Sequence, residues 1–255
     1  MRGFAALWGK EWRETWRSGR LFILVALFLL LGISSPLAFK FLPQLIPAEL
    51  AEAFSTLLQP TTSEVIVSLF KNLSQLGILV LILLSMGGVA EEKSRGQLEL
   101  VLARPVSTEA VIWAKFAVWA LQLVLALVVV LGSFTLYTHS LFPPGPSLLA
   151  LWQGGLLFYL FCLLVLAFTL LAGTLLPTSL LAALLSGGVF LALSFLPNLG
   201  SSYARFAPPS LLEGASRVAI GASSWGVWWE SAAVTAALIL LCNLLAVWAL
   251  RRQDI

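Results

Sequence analysis

The feature that most constrains this chain is a series of long apolar blocks, clearest at residues 21–31, 76–85 and 121–134. Their apolar residues neither alternate nor keep to one helical face, so in water each block would expose hydrocarbon on every side. A helix needs roughly 20 apolar residues to cross the hydrocarbon core of a bilayer. Six segments of that kind can be drawn, at residues 20–41, 69–90, 108–137, 148–172, 178–196 and 229–250. Backbone polar groups must be satisfied internally in lipid, which makes a bundle of helices the natural architecture. The expected fold is an all-α membrane protein with six transmembrane helices. With 60% apolar and 11% charged residues and a mean hydropathy of +0.97, the chain has too little polar surface to cover a soluble domain.

Lysine and arginine placement orients the bundle. With the N-terminus inside, Arg2, Lys10, Arg13, Arg17 and Arg20 fall on the cytoplasmic side, as do Lys93, Arg95, Arg104, Lys115, Arg251 and Arg252. Only Lys40, Lys71, Arg205 and Arg217 fall outside, and eleven against four predicts both termini in the cytoplasm of a multi-pass cell-membrane protein. The same distribution argues against nucleic acid, because the basic residues flank apolar blocks instead of forming one patch. The least marked boundary is at residues 173–178, which hold a proline and no charge, so one broken span there is an alternative to two. No fixed-period repeat or polar linker divides the chain, which reads as one domain over residues 1–255. The charged, tryptophan-rich start is not expected to be a cleaved signal peptide. Cys162 and Cys242 are isolated within apolar blocks, predicting neither a disulfide framework nor a metal site. Residues 42–68, with a helical run near 48–58, and 197–228, with Pro208, Pro209 and a run at 211–220, are expected outside the spans. The second fits short helices dipping back towards the bilayer.

Two polar stretches stand out. Phe4, Trp8, Trp12 and Trp16 recur every fourth residue while Lys10, Arg13, Glu14 and Arg17 take other faces, predicting an interfacial helix over residues 1–19. Anchoring the first span and gripping a partner are both open to it. Between the second and third spans lies a charged insertion, residues 91–107, reading EEKSRGQLELVLARPVS. Ser94 and Gln97 have capping-box spacing, Gly96 relaxes the backbone, residues 97–103 favour helix and Pro105 stops it. Leu98, Val101 and Leu102 make an apolar edge beside Glu99 and Arg104, which suits docking into a groove of another protein. A plain solvated loop has the same bare pattern.

The run from Glu91-Glu92-Lys93 to Arg104-Pro105-Val106-Ser107 resembles the signature of type 2 ABC-transporter permeases, E-x-E-x-G-T-L-E-L-L-L-x-x-P-V-S. Gln97 stands where Thr is usual, while Leu98-Glu99-Leu100 and Pro105-Val106-Ser107 are intact. In that family the segment is similar to a coupling helix seated on the cytosolic ATPase. The resemblance implies that role for Gln97 through Arg104, flanked by Glu91, Glu92, Arg95 and Pro105. The order of elements is similar to the exporter branch, in which permease and ATPase are separate chains. Residues 71–77 resemble a subgroup described as multicopper-enzyme-maturation permeases, although the lone His139 and isolated cysteines lend copper no support.

Such a transporter needs a phosphate-binding loop, and none is readable. Gly3 and Gly9-Lys10 are separated by five residues instead of four, and Glu11 stands where Ser or Thr would hold magnesium. ATP and magnesium are therefore expected on a partner ATPase, with no cofactor, metal or catalytic site in this chain. An intramembrane enzyme would need paired acids, a Ser and His, or a His cluster, but the sole Asp is Asp254 and the sole His is His139. Ion coupling would place ionisable groups mid-span, where Gln122 and Asn243 are the main polar residues, expected to bond between helices. Gly87-Gly88, Gly154-Gly155 and Gly187-Gly188 are expected at close helix contacts. The function these features predict is the permease subunit of an ATP-driven exporter of a hydrophobic or amphipathic substrate. It would pair with a second permease copy, identical or paralogous. An assembly factor, a membrane anchor or an ATP-independent transporter is the alternative.

Overall fold

The computed structural model describes residues 3–45, 61–96, 106–143, 145–195 and 206–252. Among these the fold is all-helical. Helix α1 (Phe4–Ser18) turns at Gly19, whose φ of 71° suits glycine, into α2 (Arg20–Leu45). Helix α3 (Thr62–Ser94) follows, then α4 (Thr108–Leu141), α5 (Leu148–Leu175) and α6 (Ser179–Phe195). A short α7 (Ser210–Ala219) and a tight turn at Trp225–Trp228 lead into α8 (Trp229–Arg251).

Local chemistry sets these boundaries. The side chain of Thr61 accepts from the Glu64 amide while the Glu64 carboxylate accepts from the Thr61 amide, a complete capping box at the start of α3. Ser107 and Ser147 cap α4 and α5 by accepting from Ala110 N and Ala150 N. Thus α3 begins seven residues before the predicted span at 69, and residues 62–68, expected in a loop, are its first two turns. Their polar side chains hid this: Thr62, Val65 and Ile66 are buried while Ser63 and Glu64 are not. The run at 48–58 lies outside the described residues.

Among the described residues five helices, α2, α3, α4, α5 and α8, are long and apolar enough to cross a membrane. At 1.5 Å per residue, the 34 residues of α4 reach about 51 Å, well beyond a hydrocarbon core of about 30 Å. The 17 residues of α6 reach only about 26 Å. Between α5 and α6 the chain breaks at residues 176–178 around Pro177, which makes two helices of the stretch that could have been one broken span. The expected helix at 211–220 is present as α7, packed on α5 and the start of α3.

Helix α5 is the most enclosed, touching α3, α4, α6, α7 and α8. Leucines such as Leu79, Leu83, Leu184, Leu191, Leu240 and Leu244 instead point outward. Exposed leucines in such numbers suit hydrocarbon as the surrounding solvent. Of the paired glycines, Gly154 lets α7 come so close that an added Cβ would strike the Ala215 carbonyl oxygen, and Gly155 does the same for Leu131. Gly187 and Gly188 meet nothing within 4 Å among the described residues and serve no helix contact there.

Candidate functional site

One end of the bundle gathers the charges. Helix α1 lays Leu7, Glu11 and Thr15 against α4; these residues are four apart and so share a face. Trp8, Trp12 and Trp16 form a ladder along the adjoining flank, with ring centroids 6.0 and 6.2 Å apart, and Trp16 meets Phe22 of α2 at 5.2 Å. Phe4 and Trp8 pack with Val106 onto a small core made by Leu7, Ile112, Leu170 and Val247. Gly3, just before α1, sits so close to Val106, near the end of the charged insertion, that an added Cβ would strike it.

Above that core lies a closed ring of four charges from three helices. Lys115 Nζ of α4 donates to Glu11 Oε1 of α1 at 2.9 Å and pairs with Glu92 Oε2 of α3 at 2.8 Å. Glu92 Oε1 accepts from Lys10 Nζ at 2.6 Å, and Lys10 closes the ring on Glu11 at 3.3 Å. Lys115 is 2% exposed and Glu92 6%. Charges so far from water persist only when fully paired, and removing one member leaves its neighbour uncompensated. Around the ring, Glu91 pairs with Arg20 of α2 at 3.1 Å and stands 3.9 Å from Arg95. Gln122 Nε2 donates to Thr15 Oγ1 at 3.0 Å, as expected of a group joining helices. Asn243 instead donates within its own helix to the Ile239 carbonyl.

The remaining helices are tied in at the same level. Lys93 Nζ donates to the Thr174 carbonyl of α5 at 3.3 Å, and Arg251 of α8 pairs with Glu109 in the first turn of α4. Ser94, expected to cap a following helix, ends α3 by donating to the Glu91 carbonyl, and Gly96 leaves the helix with a φ of 66°. Helix α1 is therefore braced across the end of α3 and the start of α4.

Glu11, Glu92 and Lys115 of the ring line a cavity of about 210 Å³ that is bordered also by Glu14, Arg20, Gly88 and Trp119. Carboxylate oxygens of Glu11, Glu14 and Glu92 approach within 4.8 Å of one another, a spacing a cation could use. The ammonium groups of Lys10 and Lys115 already pair with all three, so the set suits ion pairing better than metal binding. Burial alone would lower the pKa of Lys10. The hydrogen bond to Glu92 and the charges of Glu11, Glu92 and Glu14 outweigh it and raise the pKa above the ordinary 10.5. A raised folded-state pKa contributes stability that is full below 10.5 and fades only as pH climbs through the higher value. The ring is thus insensitive to pH change around neutrality through Lys10.

Of the residues singled out in the sequence, Glu91 and Arg95 lie at the rim, Arg95 mostly exposed, and Glu92 turns inward. Gln97, Leu98, Glu99, Val101, Leu102, Arg104 and Pro105 lie outside the described residues. Lys10, Glu11, Arg20 and Lys115 were not singled out as site residues. One signal pointed to Lys115: a lone cation amid Ala114, Phe116 and Ala117 requires a counterion.

A family model described as "ABC-2 family transporter protein" matches residues 5–210, a stretch that holds the whole ring and both flanks of the insertion. The chain is also similar to the "Uncharacterized transmembrane protein YxlG" of Bacillus subtilis (strain 168). The two are 27% identical over 264 residues, covering 100% of this chain and 99% of that protein.

Proposed function

The chain belongs to the ABC-2 transporter family, and on that premise we propose that it is the membrane-spanning permease subunit of an ATP-driven exporter whose ATPase is a separate polypeptide. In this reading α6 completes six spans and the charged end of the bundle faces the cytoplasm, in keeping with the excess of lysine and arginine there. Residues Gln97, Leu98, Glu99, Val101, Leu102 and Arg104 dock on the ATPase, and Pro105 ends the docking segment. ATP and magnesium bind the partner, and two permease copies flank the path of a hydrophobic or amphipathic substrate.

The observation that carries the reading is the ion ring. A segment that transmits force needs stiff attachments at both ends, and here the last turn of α3 and the second turn of α4 are joined to each other and to α1 through Glu92, Lys115 and Glu11. Pressing the segment would move these helix ends together. Coupling of this kind needs two arrangements of one element that both sites bias. The ring provides a unit that either keeps its partners or exchanges them.

Purification of the tagged chain in mild detergent, followed by mass spectrometry of bound proteins, tests the proposal. A soluble ATPase in stoichiometric amount, lost from Leu98→Asp and Val101→Asp variants that still insert in the membrane, is the expected result. A chain that emerges alone and ignores added candidate ATPases would overturn it and favour a membrane anchor or an ATP-independent transporter.

A further inference from the structure

Helix α1 carries four stripes of residues four apart, each turned about 100° from the last. Leu7, Glu11 and Thr15 face α4, and the stripe of Lys10 and Glu14 adjoins the ion ring. Trp8, Trp12 and Trp16 make the flank on the other side. The remaining stripe holds Arg13 and Arg17, both exposed and turned about 200° from the side that packs on α4. Arg13 Nε donates to the Gly9 carbonyl at 3.1 Å, which lays the side chain along the helix and fixes where its guanidinium stands. Glu14, the acidic neighbour of Arg13, pairs with Lys10 at 3.6 Å.

The depth of this edge follows from what it touches. Large exposed apolar side chains begin at Phe22 and Ile23 on α2 and at Leu121 and Val124 on α4, which puts the margin of the hydrocarbon core there. Thr15 Oγ1 accepts from Gln122, one residue beyond Leu121, and the Trp16 ring, 47% exposed, meets Phe22 edge-on at 5.2 Å. The last turn of α1 therefore ends at that margin. Arg17 stands at it, and Arg13, four residues earlier, lies up to about 6 Å nearer water. This is the layer of the lipid phosphates, where indole rings sit between acyl chain and headgroup and a guanidinium matches a phosphate.

We propose that the edge of α1 formed by Trp12, Arg13, Trp16 and Arg17 binds the headgroup of an anionic phospholipid, of the phosphatidylglycerol type. The two guanidinium groups take the phosphate, and the indoles cover the first carbons of the acyl chains. Charge and polarity both match, because an anionic leaflet attracts basic groups held at its surface. The edge is also continuous with Phe22 and the outward leucines of α2, so a soluble protein seated on it would have to cover hydrocarbon-facing side chains that lipid covers unaided. The site rests on the membrane-spanning reading alone. It needs neither an ATPase nor a transported substrate, and its failure leaves the transport reading untouched.

The test uses the full chain in phosphatidylcholine nanodiscs that hold a small fraction of phosphatidylglycerol with a photoactivatable headgroup, followed by peptide mapping of the adducts. Labelling should concentrate in residues 8–22, and should fall as unlabelled phosphatidylglycerol replaces phosphatidylcholine and as salt is raised. Arg13→Gln combined with Arg17→Gln should cut labelling of that segment about tenfold, the scale of two basic groups at a charged surface. Arg13→Lys combined with Arg17→Lys keeps the charge and should retain most of the labelling. Arg217→Gln, at the other end of the bundle, should change nothing. Labelling that survives the glutamine pair, maps outside residues 8–22, or is matched by an equally tagged phosphatidylcholine would overturn the proposal. If the glutamine pair failed to fold, the mapping and the tagged phosphatidylcholine would still decide it.

Discussion

Lys115 shows how much one side chain can decide. Among the described residues its ammonium group is the only cation within reach of both Glu11 and buried Glu92 that is itself shut away from water; Lys10, the other ring cation, is partly exposed. Lys115→Met should therefore cost on the order of 3–5 kcal/mol, the usual penalty for breaking a buried pair, and adding Glu92→Gln should return part of it. Thermal unfolding in detergent would check this, and a double variant as weak as the single one would argue against a closed ring. Gly154 and Gly132 make a second contrast. Gly154→Ala would drive a methyl into the Ala215 carbonyl and to within 2.8 Å of Ala219 Cβ, so α7 must shift, at about 1–3 kcal/mol. Gly132→Ala meets nothing within 4 Å among the described residues and should be neutral or stabilising by up to about 1 kcal/mol through helix propensity. Equal melting temperatures for these two variants would contradict the packing described.

At the scale of one element, α3 is the instructive case. Its first half buries Val65, Ile66, Leu69, Phe70 and Leu73, and its second buries Ile78, Leu81, Ile82 and Ser85. At about 100° per residue the two stripes are out of step by roughly one residue. A single π turn at Leu73–Gly77 absorbs the extra residue, beside the Asn72 to Ser35 hydrogen bond that joins α3 to α2. Both halves thereby face the core, and Glu92 reaches Lys115. Deleting Gln75, exposed within the π turn, should convert it to ordinary helix and leave the ring intact. Deleting Leu79, equally exposed but in regular helix, should rotate everything beyond it by about 100° and break the ring. Measured stability of the two deletions should differ clearly in favour of the first; the reverse order would mean that the π turn does not set the register. Residues 71–77 drew notice in the sequence for their resemblance to a permease subgroup, whereas the π turn was invisible there because apolar residues surround the helix on all sides.

For the whole molecule, the N-terminal helix and the end of α8 both lie at the charged end, tied there by Lys10 to Glu92 and by Arg251 to Glu109, while Thr62 and His139 mark the other. Single-cysteine labelling in intact cells should accordingly find positions 17 and 252 shielded on one side and Lys40 reactive on the other. Reactivity of all three from outside would reject the proposed orientation. The sequence alone determined that this is an all-α membrane domain, and it placed most helix ends. Transfer of a 20-residue apolar block into hydrocarbon depends on composition over a short window, and capping by Ser107 and Ser147 depends on neighbours three residues away. It also marked the charged insertion, because a hydrophilic run between apolar blocks is a local fact. The tertiary structure decided what distance along the chain conceals. It set the start of α3 seven residues early, the shortness of α6, the π turn that aligns two faces, and the ring joining residues 10, 11, 92 and 115. Which charges pair in the ring depends on the register and packing of helices whose paired residues lie up to 104 positions apart in sequence, and apolar side chains on every face leave no periodic trace of which face turns inward.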